Sequence, residues 1–153
     1  MTMIRNFRIA FAISAALSLA AVPSVWAVGT ETQTPAASSE YPAAKTAVDA
    51  QKYQKAITLL LKVVKADKKN ADAWNLLGYS SRKLSRFKDA AKYYDVALKL
   101  NPKHLGALEY QGELFVETGA MAKAKANLAQ LSKLCGNCEE YRDLKKTISK
   151  AGS

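Results

Sequence analysis

Ala71-Asp72-Ala73-Trp74-Asn75-Leu76-Leu77-Gly78-Tyr79, a polar turn at Lys83-Leu84-Ser85-Arg86-Phe87, then Lys88-Asp89-Ala90 and on to Leu100-Asn101-Pro102: this stretch decides the fold. Trp74, Leu77, Tyr94 and Ala97 recur at helical spacing, so each half carries an apolar stripe. Gly78 and Ala90 are small where two antiparallel helices must approach closely, and Trp74 is expected to be buried between them. Asn101-Pro102 stops the second helix, because proline restricts the residue before it and cannot continue the hydrogen-bond ladder. A single hairpin of this kind cannot bury its own apolar face, so the chain must supply neighbours.

Trp74, Leu77, Gly78, Ala90, Tyr94, Ala97 and Pro102 fall where a tetratricopeptide (TPR) repeat places W-x2-L-G, A-x3-F/Y and P, and the stretch closely resembles one such unit of about 34 residues. One period downstream, Leu108, Gly112, Phe115, Met121, Ala124, Leu128 and Leu131 repeat the pattern, with Gln111 breaking it. One period upstream, Ala43, Ala44, Ala47, Tyr53, Ala56, Leu60 and Val63 do so more loosely, with Glu40 in place of the tryptophan. The expected fold is therefore all-α. It is a TPR-type solenoid of three helical hairpins, the first degenerate, over about 40–70, 71–104 and 105–136, closed by a capping helix at 139–150.

The N-terminus reads differently. Arg5 and Arg8 precede an apolar and small-residue run over 9–22, Pro23 breaks it, and Val25-Trp26-Ala27 suits a signal peptidase. Residues 1–27 are expected to be an export signal cut after Ala27, which makes the mature chain periplasmic or secreted, with no stable membrane span. Residues 28–39 have almost no apolar bulk and are expected to be a disordered leader, leaving one domain at 40–150. That domain is expected to open with Ser39 or Glu40 as a cap and Pro42 in the first turn.

The whole chain carries +10, and removing Arg5 and Arg8 leaves +8. Residues 45–103 hold fourteen Lys or Arg against five Asp or Glu, whereas residues 104–153 hold seven against six, so the basic excess lies in the first two repeats. Lys52, Lys55, Lys62, Lys65, Lys68 and Lys69 read as a solvated outer face, or as attraction to an acidic partner or lipid head groups. Nucleic acid is not expected as a partner, because the chain is read as exported and has no groove-reading motif.

In the TPR family the first helices of successive repeats line a concave surface. The resemblance therefore implies a partner-binding wall of Tyr41 and Lys45 from repeat one, Asn75, Tyr79, Arg82 and Lys83 from repeat two, and Glu109, Glu113 and Glu117 from repeat three. The three glutamates, four residues apart, share one helical face. On one reading the tyrosines supply contact area while the lysines, Arg82 and glutamates orient a bound peptide. On the other, Asp49, Lys83 and Glu117 merely pair with one another. The lysine and asparagine arrangement that clamps a carboxylate in some cytosolic relatives is not reproduced, since Lys45 and Asn75 do not complete it.

Cys135-Gly136-Asn137-Cys138 ends the third hairpin. Gly136 suits a helix stop, Asn137 with Glu140 makes a capping box, and Leu144 and Ile148 face inward on the closing helix. This ending resembles that of some small exported bacterial TPR proteins. An even cysteine count in an exported chain favours a disulfide between Cys135 and Cys138 that clips the turn. The alternative is a thiol-disulfide or metal-handling accessory protein using the same pair. Against it, a thioredoxin fold needs strands, haem attachment needs histidine where Glu139 stands, and Cys135, Cys138 and His104 make a poor metal set. His104 reads as an exposed connector, no catalytic constellation is evident, and no cofactor or metal is expected. The expected function is a non-catalytic module that holds a protein or peptide on its concave face.

Overall fold

A computed structural model describes residues 35–152, with side chains from Ser39 onward. The expected export signal and the leader up to residue 34 lie outside the described residues. The helices are α1 (Pro35–Asp49), α2 (Tyr53–Ala66), α3 (Ala71–Lys83), α4 (Phe87–Leu100), α5 (Leu105–Glu117), α6 (Met121–Cys135) and α7 (Glu139–Ala151), with no strand among the described residues. They form three antiparallel hairpins and a closing helix. The first helices α1, α3, α5 and α7 each touch the next in the series, whereas α2, α4 and α6 do not touch one another. Unequal spacing of the two layers bends the stack, with the first helices as its inner wall.

Helix α1 begins at Pro35, inside the stretch expected to be a leader, because proline is preorganised for a first helical position and Ala36-Ala37 have high helix propensity. Low apolar content says whether a segment packs, not whether it coils. Pro42 consequently sits inside the helix and not in its first turn, which removes one intrahelical hydrogen bond.

The repeat period reappears in the backbone. Gln51, Ser85 and Gly119 stand one period apart, each between the helices of its hairpin, and each has a positive φ (56°, 57° and 76°). Only the third hairpin uses the residue suited to that conformation, and a Cβ at Gly119 would meet nothing within 4 Å. Gly119→Ala should therefore lower stability by about 1 kcal/mol through backbone strain alone. An unchanged denaturation midpoint would mean the turn takes another conformation.

Asn70, His104 and Cys138 are likewise one period apart, at the N-caps of α3, α5 and α7. Asn70 Oδ1 accepts from Ala73 N–H at 2.9 Å, and His104 Nδ1 accepts from Ala107 N–H at 3.2 Å. His104 is thus a half-buried cap and not an exposed connector. Its position demands a side-chain acceptor for a free helix N–H, and an imidazole nitrogen supplies one. The capping box on Asn137 does not form, because Cys138 occupies the cap with its sulfur bonded elsewhere.

The core runs as three clusters along the stack: Leu60, Val63, Leu77 and neighbours at one end, Ala90, Tyr94 and Leu114 in the middle, and Leu108, Leu131 and Leu144 at the other. The fully buried aromatic of the second hairpin is Tyr94, not Trp74. A Cβ on Gly78 would sit 2.5 Å from the Tyr94 ring, so this glycine makes room for it. Trp74 lies at the edge of the first cluster, half-buried, its ring 5.8 Å from that of Tyr93 and its Nε1–H donating to the Lys68 carbonyl at 3.0 Å. Indole needs an outlet for its N–H, and the inter-repeat turn provides one. Gln111, the polar break in the third repeat, is buried but satisfied. Its amide donates to Asp95 Oδ1 at 2.8 Å, and its carbonyl accepts from Asn127 Nδ2 at 3.1 Å.

Candidate functional site

Helices α3 and α5 lie side by side on the inner wall, and their facing rows build a cluster around Arg82. The Arg82 side chain is only 6% exposed, and its two terminal nitrogens donate one each to Glu113 and Glu117. Its guanidinium lies 5.6 Å from the Tyr79 ring centroid and 5.9 Å from that of Tyr110. The Tyr79 ring also lies 4.8 Å from that of Tyr110, tilted by 50°, and 6.0 Å edge-on from Tyr53, while Lys83 Nζ sits 5.8 Å over the Tyr79 ring. From α7, Thr147 reaches Glu113 at 3.4 Å. Burial works against the Arg82 charge, but Tyr94, Glu113 and Glu117 outweigh it and hold its pKa above the ordinary value. Burial also raises the Tyr79 phenol. The result is a rigid, half-exposed aromatic surface backed by a fixed cation.

Of the residues expected on the wall, Tyr79, Arg82, Lys83, Glu113 and Glu117 meet in this cluster. Glu117 pairs with Arg82 and not with Lys83 and Asp49, because Arg82 points between the two glutamates of the facing helix. Tyr41 packs against the first core cluster and Lys45 is exposed, so repeat one contributes Tyr53 to the cluster and not the two residues expected from it.

Asn75 and Glu109 belong to a second feature, a hollow of about 290 Å³ between α3, α5 and α7 lined by Asn75, Leu76, Gly106, Glu109, Tyr110, Glu139, Glu140 and Asp143. Glu109 is buried here, and its carboxyl is pushed up to about 8. Burial is the main cause, Glu113, Asp143 and Glu140 add to it, and Arg82 opposes it. Asn75 is 6% exposed, and its carbonyl oxygen has no hydrogen-bond partner among the described residues. A larger hollow of about 450 Å³ lies at the turn over residues 85–89, which are the residues lining it among those described.

Sequence reasoning missed Tyr53, Tyr110, Glu139, Glu140 and Asp143. For Asp143 a signal existed, since Tyr41, Asn75, Glu109 and Asp143 stand in one row a period apart. The sulfurs of Cys135 and Cys138 are bonded to each other at 2.06 Å, tying the end of α6 to the cap of α7. Among the described residues no group of three His, Cys, Asp or Glu could hold a metal ion, and no helix is long and apolar enough to cross a membrane.

A stack of hairpins with this inner wall defines a helical-repeat protein, and the sequence comparison makes the class specific. The tetratricopeptide-repeat family model matches residues 41–104 and 80–130, and the chain belongs to that family. No curated protein matches it in sequence. Among solved structures it is similar to the yeast Sti1 TPR2B domain in a pHsp70 complex (16% identity, 78% of this chain and 98% of that one, TM-score 0.71). It is also similar to the second TPR domain of human RPAP3 in complex with the HSP70 peptide SGPTIEEVD (20%, 77% and 96%, 0.68). A third likeness is the Yersinia enterocolitica type III secretion chaperone SycD with a peptide of the translocator YopD (18%, 79% and 92%, 0.68).

Proposed function

We propose that this protein is a non-catalytic interaction module that holds a peptide segment of a partner on its inner wall. The observation that carries the reading is the Tyr79–Tyr110–Arg82 cluster. Large, half-exposed rings fixed in place by a buried cation offer contact area at little conformational cost, as binding anchors do. Neighbours of the same fold hold peptides, which supports the mode and not the ligand. The acidic SGPTIEEVD peptide of one neighbour would meet Glu109, Glu139, Glu140 and Asp143 here. The Arg5 and Arg8 start with its apolar run supports work outside the cytosol, which a mature N-terminus at Val28 would register.

Tyr79→Ala should weaken partner capture at least ten-fold, since truncating an aromatic anchor commonly costs about 2 kcal/mol or more. Lys65→Ala, on the outer helix α2, should change little beyond salt dependence. Equal losses from both, measured by titration calorimetry at matched ionic strength, would point to general electrostatic attraction and sink the reading.

A further inference from the structure

We propose that the hollow between α3, α5 and α7 is a recognition pocket for one basic side chain, lysine or arginine, of a peptide lying along the inner wall. This rests on the peptide-binding reading above and adds to it the chemistry of the residue that is read. Four carboxyl groups line the hollow, Glu109 from α5 and Glu139, Glu140 and Asp143 from α7. An acidic cluster alone would be unremarkable at a surface. Here a second feature points to a ligand: the buried Asn75 lines the same hollow, and its sealed carbonyl oxygen meets no donor among the described residues. A buried acceptor left unpaired is costly, and a turn of the amide toward the hollow would offer it to an entering N–H donor.

The geometry also discriminates among cations. No three of these acids are grouped as a metal ion requires. Carboxylates spread around a hollow of about 290 Å³ instead suit a cation with several divergent donors, three on an ammonium or five on a guanidinium. Leu76 and Tyr110 supply apolar wall for the methylene stem, and a ring face is favourable to the cationic tip. The chain as a whole is +10, so long-range repulsion works against a basic peptide. Selection for lysine or arginine would therefore come from the pocket itself.

Binding would be linked to a proton. With its carboxyl near 8, Glu109 is mostly protonated at neutral pH. The groups that act on it are Glu113 on its own helix, Glu140 and Asp143 across from it, and Arg82 in opposition. A cation in the hollow favours the ionised form and lowers that pKa, so a proton leaves as the ligand enters. Affinity should accordingly rise as pH climbs from 6 toward about 8, while the lysine ammonium stays charged.

The test is a displayed library of random peptides panned on the folded full chain, followed by resynthesis of the enriched peptide with its basic residue replaced by norleucine. We expect enriched peptides to share a lysine or arginine, norleucine to weaken binding at least ten-fold, and Glu109→Gln with Asp143→Asn to do the same at an unchanged melting temperature. The norleucine arm needs no protein variant and stands if the double variant folds poorly. Peptides that lose binding on Tyr79→Ala, yet carry no basic residue or bind equally well with norleucine, would overturn the pocket and leave the inner-wall reading intact. An empty selection, or peptides insensitive to both Tyr79→Ala and the pocket variant, would overturn both.

Discussion

Tyr94→Ala should lower stability by about 3–5 kcal/mol, a large part of what holds a small domain together. The ring is fully buried at the centre of the stack, packed with Ala90 and Leu114 and seated over Gly78. Its removal leaves a cavity that the surrounding helices, held from both sides, cannot collapse to fill. Trp74→Ala should cost clearly less, because the indole is half-buried at the edge of its cluster. Tyr94→Phe separates packing from polarity. The hydroxyl is buried beside Arg82 without a hydrogen bond of good geometry, so its loss should change stability by less than about 1 kcal/mol. Burial pushes its pKa upward against the pull of Arg82, as expected for a phenol that stays neutral. Urea denaturation of the three variants checks the order, and a Trp74 loss equal to the Tyr94 loss would show that the second hairpin packs differently.

Arg82→Ala should cost about 3 kcal/mol, near the lower end of what breaking a buried ion pair costs. Removing the guanidinium strands Glu113 and Glu117 against each other and takes the cation from under two rings. Glu117 is partly exposed and can turn to water, which keeps the loss from being larger. Because the guanidinium itself is shielded, raising salt from 0.05 to 0.5 M should recover little of it. Combining Arg82→Met with Glu113→Gln and Glu117→Gln should regain most of the loss, since the desolvated charges then vanish together. A single-variant loss below about 1 kcal/mol would mean that the cluster is open to solvent, and the fixed surface proposed for binding would go with it.

The architecture was legible because its period is written in residues that cannot be exchanged freely. Gly78 must be small for a ring to pass, and Pro102 must end a helix. What stayed hidden depended on relations between rows. Tyr53, Tyr79 and Tyr110 do not share a row, and they meet because α2 packs on α3 and α3 on α5, a geometry absent from a one-dimensional pattern. Asp143 was in the right row, but the closing helix has no second helix behind it and read only as the cap of the stack. It is that cap, and it also continues the row of first helices, with its first turns turned to the hollow. Trp74 drew attention as the largest apolar residue of its motif. Burial went instead to Tyr94, which has a hairpin on either side.

Every helix in this stack touches only the next element or the next but one in sequence. The chain therefore never has to close a long loop before contacts reward it, and local topology of this kind folds in microseconds to milliseconds. Unfolding has a direction too. With partners on only one side among the described residues, α1 and α7 should release their amide protons to solvent first, while α3 to α5 stay protected until the whole array comes apart. Three of the four carboxyl groups of the hollow are carried by one of those fraying ends, so whatever fills it also fastens the last helix to the rest.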